Sequence, residues 1–315
     1  MKIAEKNNTS LAVKCYKFVP QTVNIKYIYR IPSVGQKVKK NGGFCPIFTL
    51  DKDITVRTKQ MAVKKKRYKL QQGDVIDIEE YHDGRYGAPG KKRQKRKTPT
   101  KEEMQKVNDY NKTKRCRLRM LEHIRPGDCF ATLTYEISRR PPDMKTAKEH
   151  FRKMLEKTVR KEYRKRGSPL FWFRNIERGT KGAWHIHLVI TETGDTASIL
   201  KKAWKHGGVH CIEIKLSDKF YDEDFTKLAS YMTKNERTEY TKADGTQGKP
   251  RIAEASYSHS RNMPLPEPRV RKLKRWKKHV EPEKGYYIAR CFEGINPVTG
   301  YKYRRYTMIR LHRRI

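Results

Sequence analysis

Acidic residues and long apolar runs are both scarce in this 315-residue chain. It has 34 Asp and Glu residues against 74 Lys and Arg residues. It contains no run of about 18 apolar residues, the length that favours a transmembrane helix. The segment from Met1 to Phe18 lacks the apolar core of a signal peptide. We therefore expect neither membrane association nor secretion, and we expect the protein to work in the cytoplasm.

Cysteine is present as six scattered residues with no CxxC pair. This spacing excludes a zinc ribbon and a disulfide framework, and it is typical of a reducing compartment. The sequence also lacks a G-x-x-x-x-G-K-[ST] motif, which excludes a P-loop nucleotide site.

The excess of basic residues gives a formal net charge of +40. Such a chain repels itself unless it meets a polyanion, and binding to nucleic acid is favoured because neutralised phosphates release counterions. An anionic membrane is a weaker alternative, because no basic amphipathic helix with a clear apolar face is visible. A basic surface that only keeps the protein in solution is the remaining alternative.

Changes in composition divide the chain into three regions. Basic clusters at 64–67 and 91–97, together with a glycine-rich stretch at 83–90, predict a flexible basic linker. The linker ends an N-terminal accessory region, 1–98. A central domain, 99–265, follows it. The last region, 266–315, is a basic extension for which we predict a β-hairpin from strands at 286–292 and 301–311.

Helical and strand patterns mix within the central domain without a regular βαβ repeat. We predict helices at 98–124, 144–166, 197–204 and 222–236, and strands at 129–135, 170–176, 184–191 and 209–214. Shorter strands are expected at 23–31 and 75–78. The pattern favours the α+β class, with a central antiparallel sheet flanked by helices.

The segment 175–190 contains a His-x-His pair that follows a glycine-containing turn. In a strand, His185 and His187 point to one face, and the apolar residues that alternate with them point to the other. If the turn is centred on Lys181, Glu177 lies opposite His185, at about 5 Å. Two imidazoles and one carboxylate then form a site for a divalent metal ion. Alternatively, the two histidines face solvent beside an unrelated glutamate.

A second pair of polar side chains falls in the last predicted helix of the domain. Tyr231 and Lys234 are three residues apart and therefore share a face of a helix. A phenol, with a pKa of about 10, needs help to attack a phosphodiester. A nearby cation and a metal ion can stabilise the negative charge that develops. The alternative is a half-buried tyrosine beside a solvated lysine.

These segments, taken in order, resemble the three motifs of the HUH endonucleases. Within that superfamily they resemble the rolling-circle replication initiators (Rep proteins) of small phages, plasmids and single-stranded DNA viruses. The resemblance covers about residues 100 to 265 and rests on Phe130–Tyr135, on Glu177 with His185-Ile186-His187, on Tyr231-Met232-Thr233-Lys234, and on Ala255–Asn262.

The resemblance implies an HUH endonuclease domain that nicks and joins single-stranded DNA. His185 and His187 would bind Mg²⁺ or Mn²⁺, with Glu177 as the third ligand. Tyr231 would attack the scissile phosphate, leaving a 5′-phosphotyrosine and a free 3′-OH that primes replication, and Lys234 would assist it.

The expected partner is single-stranded origin DNA in the cytoplasm of a bacterial host. Thr132 and Thr134 would line the sheet near the DNA. Basic residues outside the domain are further candidates for DNA binding: Lys64, Arg67, Lys92, Arg93, Arg96, Arg271, Lys274 and Arg275.

The chain also departs from some members of the group. The motif contains one tyrosine, and Tyr240 would lie out of phase on a continuing helix. A single nucleophile requires a second subunit, as in a homo-oligomer on DNA, or a second round of cleavage. Without a P-loop, a host helicase and a host polymerase would be needed.

Three other functions remain open at this point. A transposase or relaxase of the same fold would share these motifs. A non-catalytic nucleic-acid-binding protein could stack bases on Trp172, Phe173 or Trp184. A zinc hydrolase could use Glu177 and the two histidines, but it would leave the charge and Tyr231 without a role.

Overall fold

A computed structural model describes residues 63–82, 100–215, 223–242, 244–273, 276–295 and 302–311. The helices are α1 Lys101–His123, α2 Met144–Met154, α3 Arg160–Lys165, α4 Thr196–Ala203 and α5 Thr226–Met232. The strands are β1 Val63–Leu70, β2 Val75–His82, β3 Cys129–Thr134, β4 Trp172–Gly179, β5 Trp184–Ile190, β6 Val209–Glu213, β7 Tyr240–Thr241, β8 Gln247–Gly248, β9 Ile252–His259, β10 Arg269–Leu273, β11 Tyr286–Ile295 and β12 Lys302–Arg310. The predicted α+β class is confirmed.

Two five-stranded antiparallel sheets dominate the described part of the chain. The central sheet has the strand order β6-β3-β5-β4-β9. The terminal sheet has the order β10-β1-β2-β12-β11 and joins residues from both sides of the central domain. The two predicted strands near the C-terminal end are present as the antiparallel pair β11 and β12.

Alternation of apolar residues gives each face of the central sheet its own core. On one face, Ile186, Leu188 and Ile190 of β5 pack with buried residues of α2, α3 and α4. On the other face, Val189 belongs to a core that includes α1, α5 and residues of β1. The layers are therefore helices, central sheet, helices α1 and α5, and terminal sheet.

Helix α1 begins as its sequence predicts. The Thr100 side chain accepts a hydrogen bond from the Glu103 backbone N–H at 3.1 Å, and the Glu103 carboxylate accepts one from the Thr100 N–H at 2.9 Å. This reciprocal capping satisfies amide groups that have no partner within the first turn. The predicted helix 144–166 is present as α2, a π turn at Leu155–Val159, and α3.

The basic cluster at 64–67 is not part of a flexible linker, so that prediction is wrong. These residues lie in β1, which pairs with β2 and β10. Buried Val63, Tyr68 and Leu70 anchor the strand, and its basic side chains are only partly exposed. The basic run at 91–97 and the predicted strand at 23–31 lie outside the described residues.

The helix that carries Tyr231 is shorter than the predicted span of 222–236. Phe225, its N-cap residue, has a left-handed backbone with φ 55°, and Thr233 already departs from helical geometry. The Thr233 hydroxyl donates to the Ala229 carbonyl at 2.8 Å, which competes with continuation of the helix. Tyr240 begins β7, so the expectation that it continues this helix is also wrong.

Among the described residues, no helix combines the length and the apolar content that crossing a bilayer requires.

Candidate active site

The hairpin of β4 and β5 sets the geometry of the site. Gly182, with φ 75°, adopts a left-handed conformation in the turn that glycine favours. The resulting register places Glu177 directly opposite His185 and Asn175 opposite His187. The alternation predicted for this hairpin is thereby found, with the apolar side chains on the opposite face.

Glu177, His185 and His187 converge on one point. Each offers one ligand atom, and these atoms lie within 4.8 Å of one another. The Glu177 Oε2 atom lies 3.3 Å from His185 Nε2 and 3.6 Å from His187 Nε2. One carboxylate and two imidazoles at this spacing are a donor set that divalent metal ions accept.

Burial and neighbouring groups set the protonation of this triad. Burial lowers the pKa of His187 to about 4, although Glu177 acts in the opposite direction. Burial alone would raise the pKa of Glu177, but hydrogen bonds from the two histidines and the charge of Lys234 bring it below its ordinary value. At neutral pH, an ionised carboxylate therefore faces a neutral imidazole, and both can donate a lone pair to a cation.

Lys234 is the cation of the site. Its Nζ atom lies 3.1 Å from Glu177 Oε2 and 3.8 Å from the centre of the Tyr231 ring. Burial lowers the pKa of Lys234, and the carboxylate of Glu177 opposes this shift. The predicted proximity of Tyr231 and Lys234 is found, although Lys234 follows the end of α5 instead of lying on it.

Tyr231 on α5 reaches the metal-ligand candidates directly. Its hydroxyl lies 2.9 Å from His187 Nε2. The Phe130 ring stacks on His187 with centroids 5.9 Å apart and meets the Tyr231 ring edge-on at 5.8 Å. On the other side of the imidazole, the Thr132 hydroxyl lies 3.3 Å from His187 Nδ1. These contacts fix the orientation of both rings.

Asn175 connects the triad to the segment after α5, and sequence reasoning gave it no role. Its Nδ2 atom donates to Glu177 Oε1 at 2.9 Å and to the backbone carbonyl of Lys234 at 3.0 Å. Asn175 is fully buried, and its Oδ1 atom has no hydrogen-bond partner among the described residues. Strand alternation could have identified it, because Asn175 lies two residues before Glu177 and shares its face.

Helix α1 holds the same segment from the other side. The hydroxyls of Thr113 and Thr233 lie 2.7 Å apart. Asp109 accepts hydrogen bonds from Asn235 Nδ2 and Arg237 Nε, both at 3.2 Å. The residues on either side of Lys234 are therefore tied to α1, which restricts where its side chain can go.

The two threonines predicted to approach DNA occupy neighbouring rows of the central sheet. Thr132 lies opposite His187, and Thr134 lies opposite His185. Thr134 is exposed, and its hydroxyl donates to the Gly208 carbonyl at 3.3 Å. The site therefore opens along β3 toward the edge strand β6.

The other residues predicted to bind DNA lie elsewhere. Lys64 and Arg67 are on β1, and Arg271 is on β10, all in the terminal sheet. Lys92, Arg93, Arg96, Lys274 and Arg275 are outside the described residues.

Two of the aromatic residues suggested as stacking platforms are enclosed by the protein. Phe173 is fully buried, and Trp184 is 5% exposed. Trp172 is half-buried and packs against the core on the side of α2. The central sheet therefore offers little stacking surface at these positions.

Comparison with known proteins gives one family match. Residues 128–236, about a third of the chain, match a family model of replication-associated proteins of the ORF2 type. The matched segment contains Glu177, His185, His187, Tyr231 and Lys234. The match supports a protein of the replication-initiator type. Neither a curated protein nor a solved structure matches the chain.

Proposed function

We propose that this protein is an HUH-type replication initiator that nicks and rejoins single-stranded DNA through a covalent bond to Tyr231, and so starts rolling-circle replication. The observation that carries the proposal is the contact between the Tyr231 hydroxyl and His187, a member of the Glu177, His185 and His187 triad. A nucleophile beside a metal-ligand set, within a segment similar to replication-associated proteins, is what this chemistry requires.

The donor set fits a divalent metal ion. Glu177, His185 and His187 would hold Mg²⁺ or Mn²⁺, since mixed carboxylate and imidazole ligands accept either. When bound, the ion would polarise the phosphoryl group and offset the charge of its oxygens. The neutral state of His187 and the ionised state of Glu177 leave both donors available at neutral pH.

Tyr231 performs the covalent step in this proposal. Its Oη atom attacks the scissile phosphorus and loses its proton as the new P–O bond forms. The bond from phosphorus to the 3′ oxygen breaks, and that oxygen takes up a proton to become a free 3′-OH. The products are a 5′-phosphotyrosine and a primer end. Attack by a 3′-OH on the phosphotyrosine reverses the step and joins the strand.

Lys234 supports the nucleophile electrostatically. Its Nζ atom over the Tyr231 ring lies where a cation can stabilise the negative charge that develops on the phenol oxygen. Asn175 acts as a positioning residue, because it holds Glu177 Oε1 and the Lys234 carbonyl at once. The opposite carboxylate oxygen is thereby directed toward the histidines and Lys234.

The remaining parts of the proposal concern partners. Single-stranded origin DNA would cross the central sheet at Thr132 and Thr134, beside the triad. Because one tyrosine makes one bond, a second subunit or a second round of cleavage closes the product. A host helicase and a host polymerase in a bacterial cytoplasm would extend the free 3′-OH.

We expect Glu177→Gln to abolish metal-dependent cleavage. The substitution keeps the size of the side chain but removes the charge and one ligand oxygen. Metal affinity should fall by more than the roughly 10- to 100-fold that loss of an outer hydrogen-bond partner costs. Calorimetric titration with Mn²⁺ measures the affinity, and cleavage of a labelled single-stranded origin oligonucleotide measures the activity.

Glu254→Gln is the matched control. Glu254 lies on the neighbouring strand β9, where its carboxylate is half-exposed and lies 4.0 Å from Arg178. It makes the same change of charge away from the triad and should leave both measurements unchanged. Equal Mn²⁺ affinity in Glu177→Gln and the wild type, with both variants folded, would refute the assigned metal ligands.

A further inference from the structure

The outer edge of the terminal sheet places basic side chains opposite one another. Strands β1 and β10 pair so that Lys64 faces Lys272, Lys65 faces Arg271, and Arg67 faces Arg269. We call these six residues and Lys66 the basic ladder. Like charges directly opposite on two strands destabilise a sheet. The arrangement therefore costs stability unless an anion meets it.

Carboxylates of the protein compensate only part of the ladder. Lys65 Nζ lies 3.3 Å from Glu80, and Arg67 makes two hydrogen bonds to Glu283. In contrast, the three cations of β10 are exposed and have no ion pair or hydrogen bond in the described part of the chain: Arg269, Arg271 and Lys272. Strand β10 also forms the edge of the sheet, so its outer side is open among the described residues.

The composition of the ladder favours the backbone of a duplex over a single strand. Single-strand sites combine basic grooves with aromatic side chains on which bases stack. The ladder strands contain no aromatic residue at 63–67 or 269–273. Side chains on one face of a strand repeat about every 6.8 Å, close to two steps of about 3.4 Å along a duplex strand.

We propose that the basic ladder is a docking surface for the phosphate backbone of duplex DNA, separate from the candidate active site. The two surfaces belong to different sheets, with α1 and α5 between them. This deepens the proposed function, on which it rests for the identity of the DNA, since the duplex would be the one flanking the nicked strand. The contact itself requires neither Tyr231 nor a metal ion.

The test is the salt dependence of duplex binding by the full chain. The triple variant Arg269→Gln/Arg271→Gln/Lys272→Gln removes the three cations without carboxylate partners. For a random-sequence duplex, the slope of log affinity against log salt should fall in magnitude by about 2.7, from three phosphate contacts at about 0.9 each. The single variant Arg271→Gln should lower it by about 0.9.

A matched control removes the same charge elsewhere. Lys157, Arg160 and Lys161 are exposed at the π turn and α3, and no ion pair involves them among the described residues. Their triple substitution by Gln should leave the duplex slope unchanged. The ladder triple variant should melt no lower than the wild type, because it removes opposed like charges.

Several results would overturn the proposal. Equal loss of slope in both triple variants would show a general effect of net charge. Loss confined to single-stranded DNA, or to binding of phosphatidylglycerol vesicles, would assign the ladder to another partner. Adduct formation on a short single-stranded origin oligonucleotide is measured alongside and should match the wild type. If neither protein forms an adduct, the nicking proposal fails, while the duplex result stands.

Discussion

Tyr231→Phe should abolish the covalent attachment of the protein to single-stranded DNA and leave DNA binding within about twofold. The substitution removes only the hydroxyl that lies 2.9 Å from His187. The ring contacts with Phe130 and Lys234 do not need that oxygen. Loss of a catalytic nucleophile lowers turnover by on the order of 10⁶ in a well-studied protease, so no adduct should be detectable.

Tyr240→Phe is the control for this experiment. Tyr240 is the next tyrosine along the chain and begins the short strand β7 after α5 has ended. Its substitution should leave adduct formation unchanged, because a residue outside α5 does not share the placement of Tyr231. An adduct that persists in Tyr231→Phe and disappears in Tyr240→Phe would contradict the assigned nucleophile. Binding of the labelled oligonucleotide, followed by fluorescence anisotropy, separates loss of chemistry from loss of affinity.

Arg117→Met should lower the free energy of unfolding by about 3–5 kcal/mol, the cost of breaking a buried ion pair from one side. Arg117 on α1 is 1% exposed. Its guanidinium donates to both oxygens of Asp77 at 2.9 and 3.0 Å, to Asp224 at 3.3 Å and to Thr307 at 2.7 Å. Met fills a similar volume but leaves the fully buried Asp77 carboxylate without its counter-charge.

The same contacts link the terminal sheet to the helix of the nucleophile. Asp77 and Thr307 belong to β2 and β12, and Asp224 precedes α5 by two residues. Arg290 and Arg305 also contribute to keeping the pKa of Asp224 low, at about 2, despite its burial. We therefore expect the nicking rate of Arg117→Met to fall as well, since α5 loses one of its anchors.

Arg152→Met is the matched control for stability. Arg152 also lies on a helix and pairs with two carboxylates, Glu149 and Glu156, but its side chain is 55% exposed. Exposed ion pairs contribute about 0–1 kcal/mol, so this variant should change the free energy of unfolding by less than about 1 kcal/mol. Denaturant titration followed by circular dichroism gives both values. Similar losses for the two variants would contradict the importance assigned to the buried network.

The geometry of the candidate site was predictable because it is local. Strand alternation places His185 and His187 on one face, and a short turn determines which residue of β4 faces them. The register found in the structure, Glu177 opposite His185, follows from these two facts alone. Asn175 obeys the same alternation, but a buried asparagine has no chemical signature that separates it from a structural residue.

The terminal sheet was not predictable, because its strands are distant in the sequence. Tyr306 on β12 lies opposite Ile78 on β2, although more than 200 residues separate them in the chain. Periodicity within one segment cannot indicate which distant segment it pairs with. The basic residues of β1 also resemble a solvated linker until the buried Val63, Tyr68 and Leu70 are seen on the same strand.

The end of α5 was mispredicted because side chains compete with the helix. The residues from Leu228 to Glu236 contain no proline or glycine, so propensity alone favours continuation. Thr233 instead bonds back to Ala229, and Asn235 caps the turn that follows by accepting from the Arg237 N–H at 3.0 Å. These hydrogen bonds direct Lys234 toward Glu177, a placement that a longer helix would not produce.

The alternative functions differ in what they require of the site. A binding protein without catalysis would need exposed stacking platforms, but Phe173 and Trp184 are buried. A zinc hydrolase would use the triad and leave the contact between Tyr231 and His187 without a purpose. Only covalent chemistry at Tyr231 gives every residue of the cluster a role.

The most direct test is to incubate the wild-type protein with 5′- and 3′-labelled single-stranded origin DNA, in Mn²⁺ or in chelator, and to run a denaturing protein gel. We expect a labelled protein band only with the metal ion and only with the label on the 3′ side of the nick. Peptide mass spectrometry should then locate the attached nucleotide on Tyr231. Cleavage without an attached nucleotide, or attachment at another residue, would contradict the proposed mechanism.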